Sequence, residues 1–413
     1  MSLAKTLALE PFGWVRTQRR LTEVAAPEAA NSLNLTLVTS VQDLAQLEPE
    51  WQALWDGADG ACRIFLSFNW VWHWCQQYLD SNGAGLAIVT GRRNGQLVIV
   101  WPLVLETSLG ARMVSFLGAP VSQYGDVLVD RCEPQHQEWL DESWAFIKAH
   151  LAPDIAHLRK VRDDSAVAPL LGRAGAKSTN HQLAPFITLS GEADFETFDE
   201  CHSARDRKNR RRKRKRLGEQ GSVGFRRSRG EPAATMAFKQ AMAWKRSWLK
   251  EGVRSSTALS NLRFDQFFAA VLGDPVRRIG AEVFELTLDG KSITTKVAMT
   301  CGAYRGMYFT AYDKAHEKCS PGSLLVEEMI AEGLTDGFTT LDFMAPAYDY
   351  KMEWASGTMA VADYSLPLSA VGGLYHGIYV QQLRPRLQKL AARGPIPLRR
   401  LMSGAVKLMG GNG

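Results

Sequence analysis

A chain of 413 residues exceeds what one hydrophobic core ordinarily supports, so two domains or a duplicated fold are expected. Its 46% hydrophobic and 22% charged residues are those of an ordinary globular protein, and no apolar run nears the roughly 20 residues of a membrane span, which excludes a transmembrane segment and predicts a soluble, cytoplasmic chain. The net charge of +6 hides one asymmetry: Arg205 to Arg216 holds ten Lys/Arg and one Asp, a net +9, so the other 401 residues sum to −3 and a globally basic protein is excluded.

The first thirty residues carry Lys5, Arg16, Arg19 and Arg20 but no continuous apolar segment, which predicts a loose tail over 1–32 and no secretory signal, and Glu10 and Glu23 run against a transit sequence. Leu33 to Val38 alternates as a half-buried strand does. Val41 to Leu54 then places Val41, Leu44, Leu47, Trp51 and Leu54 at helical spacing. Ser67 to Leu79 reads as a second helix, with Ser67 or Asn69 as its N-cap. Leu86 to Thr90 and Leu97 to Leu105 form a hairpin closed by Asn94-Gly95. Further strands are expected at Met113 to Leu117, Asp126 to Val129 and Ile155 to Leu158, with a helix over Glu138 to His150. Periodicity fades from Asp163 to Gln182, which places a domain boundary near residue 182, between a first domain over 33–182 and a second over 183–365, followed by an extension over 366–413.

The second half repeats the plan. A strand at Phe186 to Leu189 leads into a helix from Asp194 through the basic run, then a strand at Val223 to Arg226 and helices over Ala233 to Lys250 and Asn261 to Leu272. Three strands follow, Ala281 to Leu288, Lys291 to Cys301 and Arg305 to Tyr312, punctuated by Asp289-Gly290 and Arg305-Gly306. A helix at Ser323 to Gly333 and a strand at Thr339 to Met344 complete the order of an acetyltransferase core. Beyond it, Leu374 to Leu390 suggests an amphipathic helix interrupted at Pro385 that packs on the domain. The six cysteines, Cys62, Cys75, Cys132, Cys201, Cys301 and Cys319, are scattered without Cys-x-x-Cys or zinc-site spacing, so reduced thiols and no metal are expected.

In this order and separation the residues resemble the CelD/BcsL-like acetyltransferase domains, distant relatives of the Fem peptidoglycan aminoacyltransferases. The likeness runs from Leu35 to Trp354 and rests on Phe65, Phe68, Trp70, Trp72 and Trp74, Trp101-Pro102-Leu103, Phe116-Leu117-Gly118 and Tyr124-Gly125-Asp126 in the first half. In the second half it rests on the basic helix, Ala311-Tyr312-Asp313, Ser320 to Leu325, Leu341-Asp342-Phe343 and Tyr350-Lys351. Ala345-Pro346 stands where relatives usually carry a glycine. The resemblance implies an α/β (α+β) architecture of tandem GNAT-like folds, each a mixed, mostly antiparallel sheet flanked by helices.

Ser320, Pro321, Gly322, Ser323 and Leu324 have the chemistry of a helix start that binds phosphate: a capping residue, a proline for the first turn and a glycine that lets backbone approach a ligand. By resemblance this start holds the pyrophosphate of acetyl-coenzyme A or another acyl-CoA, and the preceding strand splays to admit the pantetheine. Amine acylation needs a base for the attacking nitrogen and a donor for the leaving thiolate. Asp313 or Asp342 is the expected carboxylate, Tyr350 the acid, and His316 an alternative base by its ordinary pKa. Tyr312, Lys351, Tyr124 and Asp126 are the expected acceptor-side residues. The run Arg205 to Arg216 calls for an anionic partner or is an over-charged solvated helix; it lacks interleaved aromatics for stacking on bases, so no stable nucleic acid complex is expected. The function expected is acyl-CoA dependent N-acylation of an amino sugar or similar amine, a saccharide or small molecule, in exopolysaccharide or envelope synthesis. Its rivals are a Fem-like transferase using aminoacyl-tRNA and a non-catalytic anion-binding or regulatory module.

Overall fold

The chain opens with β1 (Asn34–Val38), α1 (Val41–Gln46), α2 (Glu48–Gly57) and α3 (Phe68–Tyr78). One helix was expected across 41–54; Pro49, which has no N–H, ends α1 and sits in the first turn of α2 instead. Ser67 caps α3, its hydroxyl accepting from the Trp70 N–H at 3.3 Å. The order continues with β2 (Gly85–Leu86), β3 (Ile88–Arg93), β4 (Gln96–Trp101), β5 (Leu103–Ser108), β6 (Ala111–Phe116), β7 (Leu128–Val129), α4 (His136–Leu151), β8 (Ile155–Arg162), α5 (Ala168–Arg173) and β9 (Lys177–Thr188). These come from a computed structural model, which describes residues 33–378, except 59, 80–83, 190, 192–193, 231, 252–258, 260 and 275–279, together with 386. The expected tail over 1–32 and most of the helix expected over Leu374 to Leu390 lie outside the described residues.

Asn94 and Gly95 both have positive φ, 51° and 79°, as the tightest hairpin turn requires, and β3 and β4 pair across them. The run Leu97 to Leu105 is not one strand. Pro102 divides it, so that β4 joins a four-stranded sheet of order β1-β3-β4-β7 while β5 enters a larger one. The stretch from Asp163 to Gln182, expected to lack regular structure, contains α5 and the first half of β9; the polar, alternating pattern of β9 conceals a strand exposed along much of its length.

The second half comprises α6 (Phe195–Asp199), α7 (Ala204–Gly218), β10 (Val223–Arg229), α8 (Ala233–Glu251), α9 (Leu262–Gly273), β11 (Gly280–Leu288), β12 (Lys291–Cys301), β13 (Tyr304–Tyr312), α10 (Pro321–Thr335), β14 (Thr340–Asp342), α11 (Asp349–Met352), β15 (Gly357–Pro367) and α12 (Ala370–Tyr375). The single helix expected from Asp194 is broken into α6 and α7, because Ser203 turns extended and its hydroxyl caps the second by accepting from Asp206 N. Asp289-Gly290 closes β11 onto β12 as expected, with φ of 48° and 76°. Arg305-Gly306 does not close a turn: both lie inside β13, and Gly302, at φ 55°, lies in the turn before it. Arg305 is fully buried there between Glu282 at 3.2 Å and Glu332 at 2.5 Å, which is how a strand interior tolerates a cation.

The larger sheet has eleven strands in the order β10-β11-β12-β13-β14-β9-β15-β8-β6-β5-β2. Residue 182, the expected boundary, lies within β9, which pairs with β15 along most of its length and with β14 at its end. The halves also share a core. Trp70 of α3 meets Phe267 and Phe268 of α9 edge-on, with ring centroids 4.7 and 5.9 Å apart.

Candidate active site

The site begins where β13 and β14 part. They pair in parallel only over Tyr304–Gly306 and Thr340–Asp342. Beyond this, Tyr308 is an extra residue in β13, since the pairing with β12 shifts between Val297↔Phe309 and Ala298↔Met307. From Gly306, β13 runs on to Tyr312, about 20 Å at ~3.3 Å per residue, with no strand on its far edge among the described residues. Amide groups along that edge are available to a ligand that pairs like a strand. One is occupied from above: Lys245 of α8 donates to the Thr310 carbonyl at 2.8 Å, and Trp248 packs on Tyr312, centroids 4.5 Å apart.

At the far end of this edge lie several of the residues expected from sequence. Asp313 caps the 3-10 turn 314–319, accepting from Ala315 N at 3.0 Å, and His316 is bonded through Nδ1 to Gln220 at 3.1 Å. Tyr312 donates to Glu317 at 3.3 Å, and burial, then that carboxylate, raises its pKa. Cys319 is buried in the apolar core. Ser320 stands at the N-cap of α10 in the left-handed region, φ 49°, but its hydroxyl does not cap; its carbonyl accepts from Ser323 and Leu324 N–H at 3.0 and 3.3 Å. Pro321 occupies the first turn as expected. A Cβ on Gly322 would have Thr310 Cγ2 as nearest neighbour at 3.8 Å, so the helix start lies at ordinary contact distance from the Thr310 side chain of β13. The positive end of a fifteen-residue helix therefore borders the splay.

At the near end, Asp342 is buried and saturated. Its Oδ2 accepts from Tyr124 at 2.7 Å, Tyr304 at 2.5 Å and Arg162 at 2.7 Å, and its Oδ1 from Met344 N at 2.6 Å. Tyr124 and Arg162 come from the first half, so this carboxylate ties the halves together. Burial, then the adjacent carboxylate, pushes the pKa of both tyrosines well up. Asp126 accepts from Ala166 and Val167 N at 2.9 and 3.0 Å, just before α5, with its pKa raised to about 6 by burial. Tyr350 lies on the rim, 43% exposed, beside Tyr348, rings nearly parallel at 6.3 Å; partial burial, then Tyr348, pushes its pKa up to about 12. Lys351 is buried and donates to Met344 O at 2.7 Å and Pro346 O at 2.9 Å.

The expected candidates thus fall into two groups at opposite ends of one edge: Tyr312, Asp313, His316 and Ser320 to Leu324 at one, Tyr124, Asp342, Tyr350 and Lys351 at the other. Two lysines beside the edge were missed. Lys296 of β12 is 2% exposed, and burial, then the charges of Lys351 and Lys245, lower its pKa to about 7; burial brings Lys245 and Lys351 to about 8. The available signal was a lone lysine inside the apolar and threonine-rich run Ser292 to Met299, where charge is rare. An unfolded lysine titrates near 10.4, so from about pH 7 to 10 the unfolded chain binds protons that the folded Lys296 does not, and stability rises with pH there. Denaturant unfolding at pH 7 and pH 9.5 should show this rise, and Lys296→Met should be more stable at pH 7 with a shallower slope. An unchanged slope would mean that Lys296 keeps its proton.

On α7, Arg210 is buried against Asp199 and over the Trp354 ring at 4.4 Å, and Arg214 meets Glu327 and Glu328 at 3.0 and 2.7 Å. Arg205, Lys208, Arg211, Arg212, Lys215 and Arg216 are exposed. The helix packs by its C-terminal end against the turn before α10 through Gln220.

Residues 204–352 match the acetyltransferase (GNAT) domain family. The fold is similar to that of a solved structure described as FemX, with a TM-score of 0.56 and 13% identity over 84% of this chain and 99% of that one. It is similar also to the C-terminal domain of a putative lysylphosphatidylglycerol synthetase from Agrobacterium fabrum, with a TM-score of 0.50 and 10% identity over 89% and 98%. None of the curated proteins matches the chain.

Proposed function

Given a GNAT-type domain over residues 204–352, we propose that this chain is an acyl-coenzyme A dependent N-acyltransferase of the CelD/BcsL-like kind, acting on an amino sugar or similar amine in envelope or exopolysaccharide synthesis. The observation that carries the reading is the unpaired edge of β13 ending beside the start of α10. Ser320 to Leu324 would hold the pyrophosphate, with the open amides of β13 along the pantetheine and the acyl group toward the parting point. The coenzyme supplies an activated thioester. Tyr350, whose hydroxyl keeps its proton at neutral pH, would protonate the leaving thiolate. Asp342, buried and already accepting four hydrogen bonds, acts as a positioning residue instead. Any arm that pairs with the Thr310 carbonyl must first displace Lys245.

The exposed cations of α7 favour a second reading, an aminoacyl-tRNA donor. Thermal unfolding separates the two. Acetyl-coenzyme A should raise the unfolding temperature by several degrees at concentrations well above its Kd, as mass action requires, and tRNA should not. A response to tRNA alone would replace the first reading with the second.

A further inference from the structure

We propose that Lys296 receives a carboxylate carried by the acceptor, so that the acceptor bears an amine and a carboxylate together. The argument starts from the cost of an unpaired buried cation, which folded proteins meet with hydrogen bonds or a counter-charge. Three lysines converge where β13 and β14 part. Lys351 donates to the carbonyls of Met344 and Pro346. Lys245 donates to Thr310 O and lies 4.8 and 5.3 Å from the centroids of Trp248 and Phe309. Lys296, whose register partner on β13 is that same Thr310, makes no hydrogen bond among the described residues and has only the Phe343 ring, 5.8 Å away.

Among the described residues no free carboxylate answers this cluster. Asp342 is the acid that acts on Lys351, and its oxygens already accept from Tyr124, Tyr304, Arg162 and Met344 N. Lys245 and Lys351 each oppose the charge on Lys296, after the larger effect of burial. The place is electropositive and lacks its anion, with three N–H donors of Lys296, two of Lys245 and one of Lys351 left over. In so buried a place a singly charged carboxylate costs less to desolvate than a phosphate, which carries more charge. Binding such a group would draw a proton onto Lys296.

This deepens the acyltransfer reading by naming the acceptor class, and it rests on that cleft being the acceptor's; its test needs neither coenzyme nor turnover. The full chain, labelled with 13C at the lysine ε-carbon, is titrated by NMR in acetate and in chloride of equal ionic strength. The Lys296 signal is identified by its loss in Lys296→Met, or in Lys296→Gln if the first does not fold. The expected result is a midpoint near 7 in chloride that moves up by at least one pH unit in acetate, a tenfold tighter proton. Equal midpoints in acetate and chloride overturn the proposal, and a larger movement in inorganic phosphate than in acetate overturns the carboxylate assignment. Acetyl-coenzyme A stabilisation is measured separately, so failure of one reading is distinguishable from failure of the other.

Discussion

Asp342→Ala should lower the stability of the whole chain by about 3–5 kcal/mol, the usual consequence of removing one partner from a buried ion pair. The substitution leaves Arg162 buried without its carboxylate on one side, although Asp164 still holds its other nitrogens at 2.8 and 2.9 Å. It also orphans the hydroxyls of Tyr124 and Tyr304 and the Met344 N–H, each of which costs when left buried and unmade. Asp342→Asn keeps the shape and one acceptor oxygen, so it should lose less. Urea unfolding of both variants measures this directly. If Asp342→Ala unfolds at the parent's midpoint while turnover collapses, Asp342 is the base after all and the positioning role assigned to it is wrong.

Gly322→Trp should abolish the thermal stabilisation by acetyl-coenzyme A while leaving the unliganded protein folded. Gly322 is not among the positive-φ glycines, and a Cβ there would meet only the Thr310 Cγ2 at 3.8 Å, an ordinary contact, with no backbone within 4 Å. An indole at that place covers the first N–H groups of α10 and the end of β13's open edge together. Gly322→Ala is the companion variant: it should stay within about 1 kcal/mol of the parent, since alanine is favoured over glycine in a helix, and should retain the coenzyme response. Retention of the full response in Gly322→Trp would remove this helix start from the site.

Much of the fold is written in local pattern. The Asn94-Gly95 and Asp289-Gly290 turns were legible because few residue pairs accept positive φ at two consecutive positions. Helices α3, α4, α9 and α10 were legible because their apolar faces recur every three to four residues. What local pattern hid was set by partners far away in the chain. Strand β9 reads weakly because it pairs with β15 along most of its length but is buried mainly at its C-terminal end, where β14 joins it. β15 was missed for the same reason: its tie is to strands more than 170 residues earlier. Arg305-Gly306 resembles a turn until Glu282 and Glu332 are brought beside the arginine.

The candidate site divides in the same manner. The helix start at Ser320 to Leu324 is a local motif, whereas the surroundings of Asp342 could not be read from sequence because three of its four donors, Tyr124, Arg162 and Tyr304, come from distant segments. Lys296 was overlooked because a lysine inside a strand announces only that something unusual surrounds it. The three-dimensional arrangement supplies the rest: two further lysines, and a carboxylate already committed to others.

The sheet that runs unbroken from β10 to β2 has a mechanical consequence. Enzymes that trap substrates by swinging two lobes together need a pliable joint between them, and here β9 and β15 act as a splint across the place where such a joint would lie. With Trp70 packed edge-on against Phe267, the halves are also tied through side chains, so a ligand pairing with the edge of β13 would have to displace Lys245 from Thr310 rather than swing one half against the other.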